Sequence, residues 1–153
     1  MNIIKSDLVD IKYDAFWEDV AAITIEAGPK SVLVVINDHE QGSQEQVQLQ
    51  KMLEACKLTP AQYNIVKVKT GQLVAWHKLR ELLDPKVVFL FGILPAQLGI
   101  SALFRLNEPN RFNDRIWLPS ISIAEQEQFP DLKKQLWVSG MKPVFIDKAF
   151  GEF

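Results

Sequence analysis

The sequence predicts an α/β fold: a three-layer α/β/α sandwich around a mostly parallel, four-stranded central sheet. Three observations predict it. Two runs, Ser31 to Ile36 and Lys86 to Phe91, are apolar and β-branched or aromatic without alternation, the pattern of strands buried on both faces. Amphipathic stretches follow each strand-like run after short joints, as in strand–helix–strand units. The composition, 48 % apolar and 24 % charged, is that of an ordinary folded domain rather than a disordered chain.

Each element has a local reason. Asp14 to Ala27 reads as a helix with Phe16, Val20 and Ile23 on one face, stopped at Gly28-Pro29. The β-branched Ile23, Thr24 and Ile25 leave a strand open for its second half. After the first strand, Asn37 to Gly42 is a polar loop, and Gln44 to Lys57 a helix with Val47, Met52 and Leu53 inward. Thr59-Pro60 breaks the chain before a second strand, Tyr63 to Val68. Thr70 is placed to cap a helix from Gln72 to Leu83, with Leu73, Trp76, Leu79 and Leu83 on its apolar face. Asp84-Pro85 ends it. The third strand is followed by Gly92 and a short helix near Ala96 to Phe104. Arg105 to Arg115 is a long loop with room for a hairpin. Ile116 to Leu118 is a short fourth strand, stopped by Pro119, and Ser120 to Gln128 is a polar stretch. Phe129-Pro130-Asp131 opens a last helix, with proline at its first position. That helix runs from Leu132 to Val138 and stops at Gly140, and Val144 to Ile146 is placed to add an edge strand.

At 153 residues the chain suits one domain. Residues 1–30 form an N-terminal appendage and helix, 31–146 the α/β core, and 147–153 a tail. Seventeen basic residues against nineteen acidic give a net charge of −2, which argues for weak or no direct nucleic-acid binding. One cysteine, Cys56, excludes an internal disulfide and any four-cysteine zinc or iron–sulfur site within the chain. No apolar run approaches the length of a membrane span, and Met1 to Asp10 is too polar for a signal peptide, so a cytoplasmic protein without a membrane role is expected.

Open α/β sheets place their sites in the crevice beyond the carboxyl ends of the strands. Three loops matter by that rule: Asn37 to Gly42, Gly92 to Pro95, and Pro119 to Ala124. There the sequence resembles the uracil-DNA glycosylase superfamily, over about residues 31–140. Leu33-Val-Val-Ile-Asn37-Asp38 sits where that superfamily carries a Gly-Glu-Ala-Pro-Gly or Gly-Ile-Asn-Pro-Gly loop. Leu49 to Leu58 is similar to the helix after it, and Lys86 to Gly92 to a strand-and-glycine segment. The most specific match is Leu118-Pro-Ser-Ile-Ser-Ile-Ala124 followed by Phe129-Pro-Asp-Leu-Lys-Lys-Gln-Leu-Trp137. It is similar, without a gap, to a Pro-Thr/Ser-x-His-Pro loop and the helix start and tryptophan that follow.

The resemblance implies a glycosylase-like fold, and its departures imply lost chemistry. Asn37 falls on the position that holds the attacking water. Ser122 falls on the histidine that stabilises negative charge on the departing uracil, and Ile123 on the proline after it. A neutral serine does not replace such a charge-assisted donor, whose loss costs about 3–4 kcal/mol. Ile36, Asp38, His39 and Glu40 replace the first loop's glycines and proline. The stretch Gly42 to Gln46 is too short for the aromatic that stacks on the base. Asn37, Asp38, Ser120 and Ser122 are therefore relic positions, with no catalytic residue, metal or cofactor expected.

A non-catalytic branch, the psi-subunit family of the bacterial DNA polymerase III clamp loader, shows a similar strand ending in Asn-Asp, here Val34 to Asp38. It also shows a Thr/Ser-Pro break, here Leu58-Thr-Pro60, and a final helix with Leu-Trp, here Pro130 to Trp137. That resemblance implies a protein-interaction module with other proteins, clamp-loader components among them, as partners. Phe16 and Trp17 are the expected partner contacts. Two alternatives stay open: a base-excision glycosylase in which Asn37 orients water, and a binder of a nucleobase or nucleotide in the crevice.

The remaining chemistry-bearing residues have plainer readings. His39 and His77 lack the carboxylate spacing of a metal site. Ser120 and Ser122 lack a nucleophile elbow. Cys56 beside Ala55 reads as a small packing residue. Lys133, Lys134 and Lys142 form either a phosphate-contacting patch or the solvated face of the last helix. Trp76, Trp117 and Trp137 read mainly as core. The tail from Lys148 to Phe153 is a docking peptide or a frayed end.

Overall fold

The computed structural model describes residues 29–37, 42–69 and 73–153. The expected helix from Asp14 to Ala27, the contacts Phe16 and Trp17, Asp38, His39 and the capping residue Thr70 lie outside the described residues.

The chain is α/β with a five-stranded, mostly parallel sheet. In chain order it runs β1 (Val32–Asn37), α1 (Gln44–Ala55), β2 (Tyr63–Val68), α2 (Trp76–Leu83), β3 (Val87–Phe91), β4 (Asn110–Phe112), β5 (Arg115–Ser120), α3 (Ile123–Gln128) and α4 (Pro130–Gln135). A wide, π-type helix, Leu136–Ile146, continues α4. The strand order is β2-β1-β3-β5-β4. The four strands from β2 to β5 are mutually parallel, and only β4 is antiparallel. Among the described residues the expected count of four therefore becomes five. Asn113 and Asp114, both at positive φ (56° and 59°), form a two-residue turn that pairs β4 with β5 as a hairpin.

Apolar side chains leave both faces of the sheet, as the unalternating strands require. On one face Val34, Phe89 and Leu118 meet Leu49 and Leu53 of α1, Ile123 of α3 and Val144 of the π-type helix. On the other, Val35, Leu90 and Trp117 meet Trp76, Leu79 and Leu83 of α2. Trp117, with no exposed surface, anchors an aromatic cluster with Trp76, Phe104 and Phe112 at centroid distances of 4.7–5.9 Å. A side chain of this kind that is fully buried contributes about 1.5–3 kcal/mol by burial alone.

Several boundaries differ from expectation for identifiable reasons. Val47 is exposed, because the buried stripe of α1 is Leu49, Met52 and Leu53, and a residue two positions away points elsewhere. Leu73 is exposed because α2 begins only at Trp76. The helix expected from Ala96 to Phe104 is one 3-10 turn, Pro95–Leu98, ended by Gly99 in the left-handed region.

Pro119 does not stop β5. Ile116 N donates to Lys86 O and Ser120 O accepts from Gly92 N, so the even-numbered backbone of β5 faces β3. Pro119 faces the other way, past the last residue paired with β4, where no ladder donor is required. Gly140 does not stop the last helix either. A Cβ there would lie 3.1 Å from Asn107 O and 3.2 Å from a Leu118 methyl, so this glycine permits close approach. Val144 to Ile146 are helical, not an edge strand, and the Phe145 ring stacks on Phe89 at 5.7 Å. The tail is neither frayed nor free for docking: Phe150 and Phe153 pack against the core, and the Arg111 guanidinium lies 5.1 Å over the Phe150 ring.

Candidate functional site

The three loops singled out by the carboxyl-end rule meet at Gly92. Asn37 ends β1, Gly92 follows β3, and Ser122 lies two residues beyond β5. Parallel pairing of β1 with β3 and of β3 with β5 brings their carboxyl ends into one row. Gly92 has a φ of +70°, and a Cβ built on it would lie 2.6 Å from Asn37 Nδ2 and 2.8 Å from Ser122 Cβ. The chain can therefore turn here only without a side chain, and Asn37 and Ser122 close over the turn.

Ser120 belongs to a buried polar network. Its hydroxyl donates to Asn107 Oδ1 at 2.6 Å. Asn107 has no exposed surface and a φ of 62°, and its Nδ2 donates to Leu132 O and Gln135 Oε1, both at 3.3 Å. Its backbone N–H donates to Pro119 O at 2.8 Å. One asparagine thus ties the 100–109 loop to the end of β5 and to α4. A buried hydroxyl held this way supports structure, not nucleophilic attack.

Ser122 is the N-cap of α3. Its Oγ accepts from Glu125 N at 3.1 Å, and Ser122 N donates back to Glu125 Oε1 at 3.2 Å, a reciprocal capping box. The hydroxyl proton has a partner too, Glu125 Oε1 at 3.0 Å. A carboxylate therefore stands beside the hydroxyl, and an anion forming next to Ser122 would have that carboxylate as a neighbour.

His77 and Cys56 fall where their plainer readings put them, whereas Lys133 is half-buried against α1 rather than on a solvated face. His77 is exposed on α2. Cys56 is buried, and burial pushes its thiol from an ordinary 9.0 up to about 12, which leaves it protonated and unreactive. Lys133 Nζ donates to Gln48 Oε1 at 3.0 Å and lies 4.0 Å from the Glu127 carboxylate. Trp76 and Trp117 are core, and Trp137 is half-buried. Among the described residues no group of three His, Cys, Asp or Glu is placed to hold a metal ion, and no helix is long and apolar enough to cross a membrane.

Two residues of this region escaped the sequence reading. Glu125 was legible, since Ser122-x-x-Glu125 is a capping-box pattern. Asn107 was not, because its partners lie 13 to 28 residues away. No protein family matches this chain, and no curated protein matches it in sequence.

Proposed function

We propose that this chain is a non-catalytic protein-interaction module of the uracil-DNA glycosylase type, acting as a psi-like accessory subunit in DNA replication. One observation carries the reading: Ser122, on the position that resembles the glycosylase histidine, spends its hydroxyl on the α3 cap and sits against the Glu125 carboxylate. Cleavage of a glycosidic bond to uracil leaves negative charge on the base. Catalysis needs a donor aimed at that charge, and a carboxylate beside the spot opposes it. The meeting of Asn37 with Ser122 over Gly92 supports placing both in one crevice, as the resemblance requires. Three-layer packing with helices on both sheet faces supports the glycosylase-like sandwich. The rigid sheet then serves as a scaffold that presents other surfaces to partner proteins.

Two measurements test this. Incubation with uracil- and hypoxanthine-containing oligonucleotides, followed by alkaline cleavage, is expected to give no strand scission above a protein-free control. Scission that Asn37→Ala abolishes would instead establish a water-orienting glycosylase. Affinity capture from the source cell with quantitative mass spectrometry is expected to recover clamp-loader subunits. A folded bait that recovers no replication protein overturns the psi-like form. A thermal-shift panel of nucleobases and nucleotides is expected to leave the melting temperature unchanged, whereas a ligand bound in the crevice raises it.

A further inference from the structure

A groove of about 270 Å³ runs along the helical face of the molecule, between α1 and the continuous helix formed by α4 and its π-type extension. Met52, Leu136 and Met141 form its floor and Trp137 one wall. Lys51 and Lys133 stand at its rim, and no carboxylate is among its lining residues. Lys133 is shared with Gln48 and faces Glu127 across 4.0 Å. Lys51 is exposed and makes no hydrogen bond or ion pair among the described residues.

We propose that this groove binds an acidic amphipathic segment of a partner protein, its apolar face on the methionines and Trp137 and its carboxylates on Lys51 and Lys133. The inference rests on the protein-interaction reading above and names the chemistry of the partner. Charge complementarity selects the occupant: both titratable lining residues are cations, and Lys51 has no partner among the described residues. Methionine side chains adapt to different apolar shapes, which suits a floor that receives inserted side chains. Trp137 lines the groove and is half-buried, packed against the core that holds its position, as an aromatic anchor must be. The floor is aliphatic and thioether, and two lysines do not make the continuous cationic track that single-stranded nucleic acid follows.

The test uses the full chain and three fluorescein-labelled probes. One is a helical peptide with Leu at i, i+3, i+4 and i+7 and Glu between them. The second carries Lys in place of Glu, and the third is an oligothymidylate. Anisotropy titrations give affinity, and amide chemical-shift mapping gives the site. The acidic peptide is expected to bind saturably, at least about tenfold tighter than its lysine twin, with shifts on α1 and the π-type helix. Lys51→Glu, at an exposed position, should weaken it about tenfold without altering the fold. Trp137→Phe should weaken it less, since it keeps a ring. Equal binding of the lysine twin, displacement by oligothymidylate, shifts elsewhere, or no binding at all each overturns the proposal. Capture of replication proteins by Lys51→Glu bait as well as by wild type would sink the groove and leave the interaction reading standing. Scission of the uracil oligonucleotide, with the acidic peptide still bound at the groove, would sink the non-catalytic reading and leave the groove standing.

Discussion

The crevice at the carboxyl ends of the strands and the groove beside α1 differ in how their polar groups are used. In the crevice the described hydroxyls are committed: Ser120 to Asn107, and Ser122 to Glu125. Asn37 and Ser122 leave no room for even one methyl group on Gly92. In the groove the floor is apolar and deformable, and a cation at the rim has no partner among the described residues. A polar cluster satisfied by its own chain gains little from a ligand, because binding must first break existing hydrogen bonds. An apolar groove with an unshared charge gains from both burial and pairing. The place where the topology puts a site and the place where free binding capacity remains are therefore different.

The largest effect expected is on the crevice's internal network. Asn107→Ala removes three side-chain hydrogen bonds, strands the Ser120 hydroxyl in the core, and puts a Cβ-bearing residue at a φ of 62° with no polar side chain to offset it. A loss of about 3 kcal/mol in urea denaturation is expected. Asn107→Gly, which relieves the backbone, should recover about 1 kcal/mol of that. Equal stability of Ala and wild type would mean that the network contributes nothing. Gly92→Ala comes next. Its Cβ would meet Asn37 Nδ2 at 2.6 Å in a backbone conformation that disfavours any side chain, so a loss of about 2 kcal/mol is expected. A neutral outcome would show that Asn37 and Ser122 can part, and the crevice would be looser than this contrast requires.

How much of this was readable depends on the range of each signal. The buried strands were legible because Ser31 to Ile36 and Lys86 to Phe91 cannot be half-exposed, whereas β4, inside the segment read as a long loop with room for a hairpin, was not singled out. That Asn37, Gly92 and Ser122 would meet also followed from topology alone, since parallel strands align their carboxyl ends. The role of Pro119 was misread because proline's effect depends on which side of the strand lacks a partner, a fact of sheet order and not of local sequence. Gly140 was misread as a helix stop for a similar reason. Its glycine answers to Asn107 and Leu118, more than 20 residues away. Val47 was misassigned although periodicity could have excluded it: Leu49, Met52, Leu53 and Cys56 already form a complete stripe.

Cys56 sharpens the contrast from the groove's side of the sheet, since it caps the carboxyl end of α1 and is buried in the same core cluster as Met52, Leu136 and Met141. Its folded pKa, about 12, stands above the unfolded 9.0. The stabilisation from keeping the thiol neutral is thus complete below pH 9 and is lost as pH rises toward 12. Near pH 10 the loss should be about 1 kcal/mol, and Cys56→Ala should remove this pH dependence while lowering stability at neutral pH. Native protein should resist a thiol reagent that labels the unfolded chain at once. Rapid native labelling would mean that α1 opens, and the groove would then be a mobile surface.

The smallest expected effect decides what Ser122 is for. As an N-cap its oxygen satisfies one backbone donor of α3, so Ser122→Ala should cost about 1 kcal/mol and Ser122→Gly only a few tenths. Ser122→Asn keeps a capping acceptor and should keep the stability with it. None of the three should change any reaction on a base-containing oligonucleotide, because the hydroxyl already has Glu125 as its partner. If Ser122→Ala left stability untouched and altered nucleotide binding or cleavage, the hydroxyl would belong to a working pocket. The crevice would then be the open site and the contrast with the groove would reverse.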